Sequence, residues 1–309
     1  NDIGQPITLL AYQNMTSPPV SFNVQTGSNC FPRFCSLAAN SSGVFLSYAD
    51  PNGDIALTQF NSTLTSIVAS KSLTLDYGFS DPSMAAVRSF SNRPFLVTRD
   101  NTSVEILELS GVNIVASASV YAYNAKTVKS ADLAHDPVTN TLYLGNFGPG
   151  EGVGDIEIRA FSNMSLSIAN PPIVGLLMGS DDATEEIVSF GACNKLIFCS
   201  RQFYDGTTAN IVDSRSGFVH ELNFETISFG SDRQNRMWVD YSTADNPNND
   251  YFAHLDTGMT IQQTLARATY DISNLLNQIK LDQATGMMHL LHRDLDSNNL
   301  AVYRYDSNY

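Results

Sequence analysis

The stretch Asn140-Thr141-Leu142-Tyr143-Leu144-Gly145 places a turn residue directly before a short run of aliphatic and aromatic side chains. Asn and Gly adopt left-handed backbone at low cost, and a run such as Leu-Tyr-Leu favours a β-strand. Five other segments repeat this order. Their turn residues are Gly43, Asn92, Asn194, Asn235 and Gly286, and the strands that follow them span 44–48, 95–98, 196–199, 237–240 and 288–291. The chain is therefore predicted to consist of six repeats of about 49 residues.

Each repeat is predicted to contain four strands. A second apolar strand follows the first after a polar hairpin, at 55–60, 104–109, 156–161, 209–212, 251–255 and 300–305. A short strand precedes the turn, as at 36–39, 84–87 and 132–134, and a further strand follows, as at 66–70 and 113–117. Four strands at this period are typical of a propeller blade. We expect an all-β fold, a six-bladed β-propeller of four-stranded antiparallel blades, as a single domain over residues 1–309.

The two ends of the chain indicate how such a ring closes. The sixth repeat stops after its third strand, and a spare strand at 7–12 precedes the first repeat. Pairing of an N-terminal strand with the last blade would remove the open sheet edge. The predicted boundaries are 1–33 for the closing strand and its loop, and 34–78, 79–127, 128–178, 179–226, 227–271 and 272–309 for the blades.

One segment near the C-terminus carries a competing pattern. Ile272, Leu275, Leu276 and Ile279 lie at helical spacing, which predicts a helix between 258 and 280. The repeat instead places a strand, a connection and a strand there. We favour the propeller interpretation, with which a short helix in the connection is compatible.

The third repeat resembles a known blade signature. Its residues His135-Asp-Pro-Val-Thr-Asn-Thr-Leu-Tyr-Leu-Gly-Asn146 are similar to the blade repeat of the lactonase-like superfamily of propellers, which has a Tyr-Val-x-Asn core. Leu144 stands where that core has Val. The resemblance covers one repeat of six and implies a propeller fold. No catalytic residue carries over from that superfamily, because no other repeat matches well enough to align.

Composition narrows the classes of function. The chain has 31 Asp and Glu against 17 Lys and Arg, a net charge of −14, and 43% hydrophobic residues. A disordered chain would be poorer in aliphatic and aromatic residues, and a nucleic-acid-binding surface needs basic charge. No apolar run reaches the roughly 18 residues of a membrane span. We therefore expect a folded protein with no nucleic acid partner and no membrane span.

The cysteines favour an extracellular protein. The chain begins at Asn1 rather than Met, as expected for a processed chain or an excised fragment. Cys30 with Cys35 and Cys193 with Cys199 form two close pairs, which suits local disulfides. Four buried thiols are the alternative. The second pair is the harder to join, because one Cys falls in a predicted turn and the other well along the next strand.

Sequons for N-glycosylation add weak support for secretion. They occur at Asn14, Asn40, Asn61, Asn101 and Asn163. All five fall in predicted turns, where a glycan fits. Asn prefers turns in any case, and the number of sequons is the one expected by chance in a chain this rich in Asn, Ser and Thr.

Four acidic residues form the candidate metal site. Asp81, Asp132, Glu185 and Glu186 precede or begin the first strands of their blades, where they could ring the mouth of a central channel. Converging carboxylates suit Ca²⁺, and they also attract a basic partner. The alternative is a solvated loop face in which Asp serves turn formation.

The leading hypothesis for function is a non-enzymatic extracellular module. It would bind a protein or glycan partner or assemble with itself, with no cofactor other than Ca²⁺. The sequence has no Gly-x-Ser-x-Gly elbow, no His-Glu-x-x-His and no phosphate-binding loop. The alternatives are a lactonase-like hydrolase with a metal or carboxylate site at the channel mouth, and a carbohydrate-binding propeller.

Overall fold

The structure is a computed structural model, and it describes most of the chain. The described ranges are 7–11, 18–24, 35–49, 54–73, 85–99, 103–121, 130–149, 154–167, 186–203, 206–216, 219–222, 225–232, 234–243, 246–256, 261–269, 278–281, 287–294 and 299–306. All regular structure in these ranges is β-strand. They contain no helix capable of crossing a membrane.

The described strands form seven sheets, each ordered as its strands follow in the chain. A two-stranded sheet comes first, with β1 (Ile7–Ala11) and β2 (Val20–Val24). Sheet 1 holds β3 (Ser36–Asn40), β4 (Gly43–Ala49), β5 (Ile55–Phe60) and β6 (Ile67–Leu73). Sheet 2 holds β7 (Ala86–Phe90), β8 (Arg93–Arg99), β9 (Ser103–Ser110) and β10 (Asn113–Tyr121). Sheet 3 holds β11 (Ser130–Asp136), β12 (Thr141–Pro149) and β13 (Gly154–Ser162).

Three further sheets complete the described part of the chain. Sheet 4 holds β14 (Glu186–Cys193), β15 (Leu196–Phe203), β16 (Gly206–Asp213) and β17 (Val219–Leu222). Sheet 5 holds β18 (Glu225–Ser231), β19 (Met237–Thr243), β20 (Asn246–Leu255) and β21 (Ile261–Thr269). Sheet 6 holds β22 (Gln278–Leu281), β23 (Met287–Asp294) and β24 (Asn299–Asp306). The prediction of an all-β chain of antiparallel, four-stranded sheets is confirmed where four strands are described, and β18 begins just ahead of the boundary predicted at 227.

The turn residues predicted from the repeat adopt the expected backbone. Five of them have positive φ in the described ranges: Gly43 (140°), Asn92 (62°), Asn140 (50°), Asn194 (49°) and Asn235 (57°). Gly286, the sixth, lies outside the described residues. Left-handed backbone at this point lets the first strand of a sheet reverse into the second within a few residues.

The segment with the competing helical pattern is strand where it is described. β21 and β22 flank it, and Ile279 is a buried residue of β22. The other three residues of the pattern, Ile272, Leu275 and Leu276, lie outside the described residues. The strand assignments on both sides agree with the propeller interpretation.

Contacts divide the chain into two compact units. Unit 1 comprises Asn1–Ala131 and Leu166–Ala169, and unit 2 comprises Asp132–Ser165 and Asn170–Tyr309. In unit 1, the facing sides of sheets 1 and 2 enclose a core that includes Phe45, Leu57, Val87 and Leu96. In unit 2, sheets 4 and 5 enclose another core that includes Phe198, Phe229 and Val239. Each sheet therefore buries a face against the next sheet of its unit, as stacked repeats do.

Close contacts between first strands depend on glycine in unit 2. A Cβ atom on Gly191 would lie 1.9 Å from Cδ1 of Phe229, and one on Gly230 would lie 2.5 Å from Cγ2 of Ile279. β14, β18 and β22 are the first strands of successive sheets, and Phe229 of β18 and Ile279 of β22 each lie against the first strand of the preceding sheet. Glycine is needed because no larger residue leaves space for that side chain.

The N-terminal hairpin packs against sheet 1. β1 pairs with β2, and Leu9 and Val24 of this hairpin contact Leu46 and Phe60. Pairing between β1 and the last sheet is not seen among the described residues. Closure of a ring by the N-terminal strand therefore stays a prediction, as does the number of blades.

Candidate binding surface

The predicted metal-binding carboxylates are only partly within the described chain. Asp132 lies in β11 with 9% of its surface exposed, and its Oδ1 accepts a hydrogen bond of 2.7 Å from the backbone N–H of Leu133. Glu186 begins β14, and Asp81 and Glu185 lie outside the described residues. The described residues contain no cluster of three or more His, Cys, Asp or Glu that could hold a metal ion. The Ca²⁺ site thus stays a prediction.

The cysteine prediction needs a correction in sheet 4. Cys193 is a buried thiol, and its Sγ donates a hydrogen bond of 2.7 Å to the backbone carbonyl of Asn235. The strand register pairs Cys193 with Leu196 and places Cys199 farther along, opposite Phe190, so the expected bridge between Cys193 and Cys199 is wrong. Burial, together with Asp136 and Asp232, raises the pKa of the Cys193 thiol to about 12. Cys30 lies outside the described residues, so its pairing with Cys35 stays a prediction.

Three of the five sequons are described. Asn61 is built into its turn, because its Nδ2 donates to Thr65 Oγ1 and its Oδ1 accepts from the backbone N–H of Thr65, both at 2.8 Å. Asn40 donates from Nδ2 to the carbonyl of Asn92 at 3.1 Å. Asn163 is exposed at the tip of the turn after β13, with φ of 54°. Asn14 and Asn101 lie outside the described residues, and glycosylation stays a prediction at all five.

A buried carboxylate that the sequence did not single out joins sheets 3 and 4. Asp136 is fully buried, and it accepts bonds from the backbone N–H of Asn194 at 3.1 Å and of Lys195 at 2.8 Å. It also caps its own turn through the N–H of Val138 and the hydroxyl of Thr139, both at 2.9 Å. Asp136 belongs to the blade signature quoted above, which was the only signal in the sequence for this role.

A second buried Asp organises the turn of sheet 5. Asp232 Oδ2 accepts hydrogen bonds from Arg236 Nε at 2.6 Å and from Trp238 Nε1 at 2.8 Å. His254 meets the Trp238 ring edge-on at a centroid distance of 5.1 Å, and its Nδ1 has no hydrogen-bond partner among the described residues. Desolvation, and then the charge of Arg236, lower the pKa of His254, while Asp232 and Asp256 oppose that shift.

The outermost strands of sheets 1 and 2 expose matching apolar side chains. Ile67 and Val68 of β6 are 49% and 57% exposed, and Ile114 and Val115 of β10 are 41% and 58% exposed. We call these four residues the Ile–Val surface. Both strands belong to unit 1 and run along the outer edges of their sheets. Each of the two strands thus exposes one pair of neighbouring aliphatic side chains, and exposed apolar side chains that form a contiguous patch mark contact sites for other proteins.

A β-bulge creates this exposure in both strands. In sheet 1, Gln59 pairs with Ala69 and Phe60 with Ile67, so Val68 is the extra residue. In sheet 2, Val115 is the extra residue in the same way, between Ile114 and Ala116. The sequence suggested a strand at each place but held no signal for the bulge, which depends on the register of the neighbouring strand.

Comparison with known proteins identifies the fold. No protein-family model matches the chain. No curated protein matches it either. The β-propeller domain of Cps50 (Swd1) from Myceliophteria thermophila is similar over 87% of this chain and 82% of its own, with 10% identity and a TM-score of 0.51. The chain has a β-propeller fold. The expected resemblance to propellers is confirmed at the level of fold alone.

Two other solved structures are similar at lower TM-scores. A protein from Lactobacillus plantarum matches over 98% of this chain and 96% of its own, with 12% identity and a TM-score of 0.48. A subtype N10 neuraminidase-like protein of A/little yellow-shouldered bat/Guatemala/060/2010 matches over 88% of this chain and 93% of its own, with 10% identity and a TM-score of 0.48. We draw no conclusion about activity from either.

Proposed function

We propose that this propeller is a non-enzymatic, extracellular module that binds other proteins or assembles with itself. The observation that carries the proposal is the Ile–Val surface, in which four aliphatic side chains are 41–58% exposed on two successive outer strands. Burial of such side chains by a partner contributes roughly 25 cal/mol per Å² of apolar surface. The sheets beneath are held by buried cores, so the surface is presented on a rigid support.

The proposed architecture is a single domain of six blades closed by the N-terminal hairpin. Its support is the packing of β1 and β2 on the side of sheet 1 that faces away from sheet 2. A preceding blade would cover that side in a closed propeller. Glycans at the sequons, with Asn163 the most accessible of the described ones, would fit a secreted protein.

A binding assay with a matched variant tests the proposed function. Wild-type chain and the variant Ile67→Thr/Val68→Thr/Ile114→Thr/Val115→Thr would be immobilised and exposed to extracellular protein from the source organism and to soluble copies of the chain. We expect the wild type to retain a defined protein, identified by mass spectrometry and then bound again in purified form, and the variant to lose it. Val138→Thr, at another exposed valine, serves as the control and should bind as the wild type does.

Two results would contradict the proposal. One is hydrolysis of a lactone panel that depends on added Ca²⁺ and is lost in Asp132→Asn, which would make the chain an enzyme. The other is selective binding on a glycan array with no protein partner, which would make it a carbohydrate-binding propeller.

A further inference from the structure

β10 differs from the other described outermost strands in its lack of charge. In the four described four-stranded sheets, the outermost strands are β6, β10, β17 and β21. Three of them carry a charged residue, namely Lys71 in β6, Glu221 in β17 and Arg267 in β21. β10 reads Asn-Ile-Val-Ala-Ser-Ala-Ser-Val-Tyr over Asn113–Tyr121 and has neither a charged residue nor a proline. Charged residues, especially Lys, and short length are the usual protection of an edge strand against pairing with another chain.

The contrast is sharpest between β6 and β10, which are nearly the same peptide. Residues 67–73 read Ile-Val-Ala-Ser-Lys-Ser-Leu and residues 114–120 read Ile-Val-Ala-Ser-Ala-Ser-Val. Both contain the bulge at Val, so the two strands present the same backbone up to that point. The protective lysine of β6 is alanine at the matching place in β10, since Lys71 corresponds to Ala118.

The bulge leaves most of β10 as a regular edge. From Ala116 to Tyr121 each residue pairs in register with β9, and β9 is its one partner among the described strands. The outward N–H and C=O groups of this run are those that a further strand would bond. The side chains are small at Ala116, Ser117, Ala118 and Ser119, so another backbone can approach closely.

The lack of charge allows β10 to pair with a second copy of itself. Two copies that pair about a two-fold axis set each strand against itself in antiparallel orientation, so a charged edge would face its own charge. β10 meets no such penalty. The acidic residues one strand away, on β9, are already engaged: Glu108 with Arg93 at 2.8 Å and Glu105 with the hydroxyl of Ser119 at 3.4 Å.

We propose that two copies of this chain pair through β10, edge to edge and antiparallel, to form one eight-stranded sheet across a two-fold axis. The Ile114 and Val115 side chains at the start of each strand would cover the end of the partner's strand. This inference rests on the proposed function, since it names a second copy as the partner of that module.

Sedimentation equilibrium from about 1 µM to about 100 µM, with hydrogen exchange at both ends of this range, tests the pairing. We expect a monomer–dimer equilibrium and slower exchange of the amides of 116–121 at high concentration. Ala118→Lys copies the lysine of β6 into β10, and it should raise the dissociation constant at least about tenfold and abolish the added protection. Ser117→Lys, at an exposed position, is a second variant with the same expectation.

The control is Lys71→Glu, which changes charge on the sister strand and leaves β10 intact; it should dimerise as the wild type does. A monomer throughout the concentration range would overturn the proposal, and so would a dimer whose 116–121 amides gain no protection. A chain that stays monomeric but retains a different protein through the Ile–Val surface would overturn self-pairing and leave the proposed binding function standing. A chain that neither dimerises nor retains any protein would contradict both proposals.

Discussion

The outermost strands and the first strands of these sheets differ in how far their side chains can vary. β6 and β10 differ by a lysine and an alanine at matching positions, and both strands fit the same bulged edge. β14 and β18, by contrast, need glycine where Phe229 and Ile279 press against their backbones. The outer strands therefore leave room for substitution and can carry binding specificity, whereas the first strands carry the packing that the fold requires.

Filling a glycine contact should have the largest effect on stability. Gly191→Ala puts a methyl group 1.9 Å from the Phe229 ring, which must move out of a core it shares with Phe198 and Val239. Overpacking of this kind costs about 1–3 kcal/mol. Urea unfolding should show that loss, while Ser117→Ala on β10 should stay within about 0.5 kcal/mol of the wild type. Equal losses in the two variants would remove the contrast between the two regions.

Removal of the Asp136 carboxylate, which joins sheets 3 and 4, should cause the second-largest loss of stability. Asp136→Ala leaves the backbone N–H groups of Asn194 and Lys195 without their acceptor in a buried turn. An unsatisfied buried donor costs about 1–3 kcal/mol, and water entering the turn would recover part of it. Asp136→Asn retains one acceptor oxygen and should lose less in the same unfolding experiment. Equal losses in the Ala and Asn variants would mean that the hydrogen bonds are not the source of the stability.

These two sites show where sequence alone could and could not predict the molecule. The repeat predicted the strands and the left-handed turns because the positive φ of Asn92, Asn140 and Asn194 is a local property of each hairpin. Asp136 and Gly191 act on a neighbouring sheet, and a sequence without coordinates does not say which side chain arrives there. The bulge at Val115 was equally hidden, since it depends on register. The Cys193–Cys199 bridge failed on the register within sheet 4, because β14 and β15 pair so that the two residues lie apart.

Acid should weaken sheet 5 modestly through His254. Its pKa is lowered in the folded protein by desolvation first and by Arg236 second. Above about pH 6.5 both the folded and the unfolded states hold the neutral ring, so the group has no effect on stability. As the pH falls below that value the unfolded state binds the proton more readily, and the free energy of unfolding decreases. His254→Gln should lose less stability than the wild type between about pH 7.5 and about pH 5.5 in urea titrations, and a parallel loss in both proteins would contradict this account.

Salt should strengthen the proposed pairing through β10. Each copy carries a net charge of −14, so two copies repel one another over the distances that salt screens. Because β10 itself has no charge, screening removes repulsion without breaking any ion pair at the contact. The dissociation constant measured by sedimentation should fall as NaCl rises from about 0.05 M to about 0.5 M. A dissociation constant that rises with salt would indicate a contact made by ion pairs and would place the interface elsewhere.

Removal of the lysine of β6 should change the stability of the protein least, but it should change how the copies assemble. Lys71→Ala turns residues 67–73 into Ile-Val-Ala-Ser-Ala-Ser-Leu, which matches β10 at all but its last position. The free energy of unfolding should change by less than about 0.5 kcal/mol, since the lysine lies on an outer strand. Both β6 and β10 would then lack a charged residue, and pairing at both would extend dimers into longer chains that light scattering detects. The double variant Lys71→Ala/Ala118→Lys exchanges the two edges and should return to a dimer, now with its amide protection in β6. If Lys71→Ala stays a dimer, lysine is not what protects β6, and the difference between the two strands has another cause.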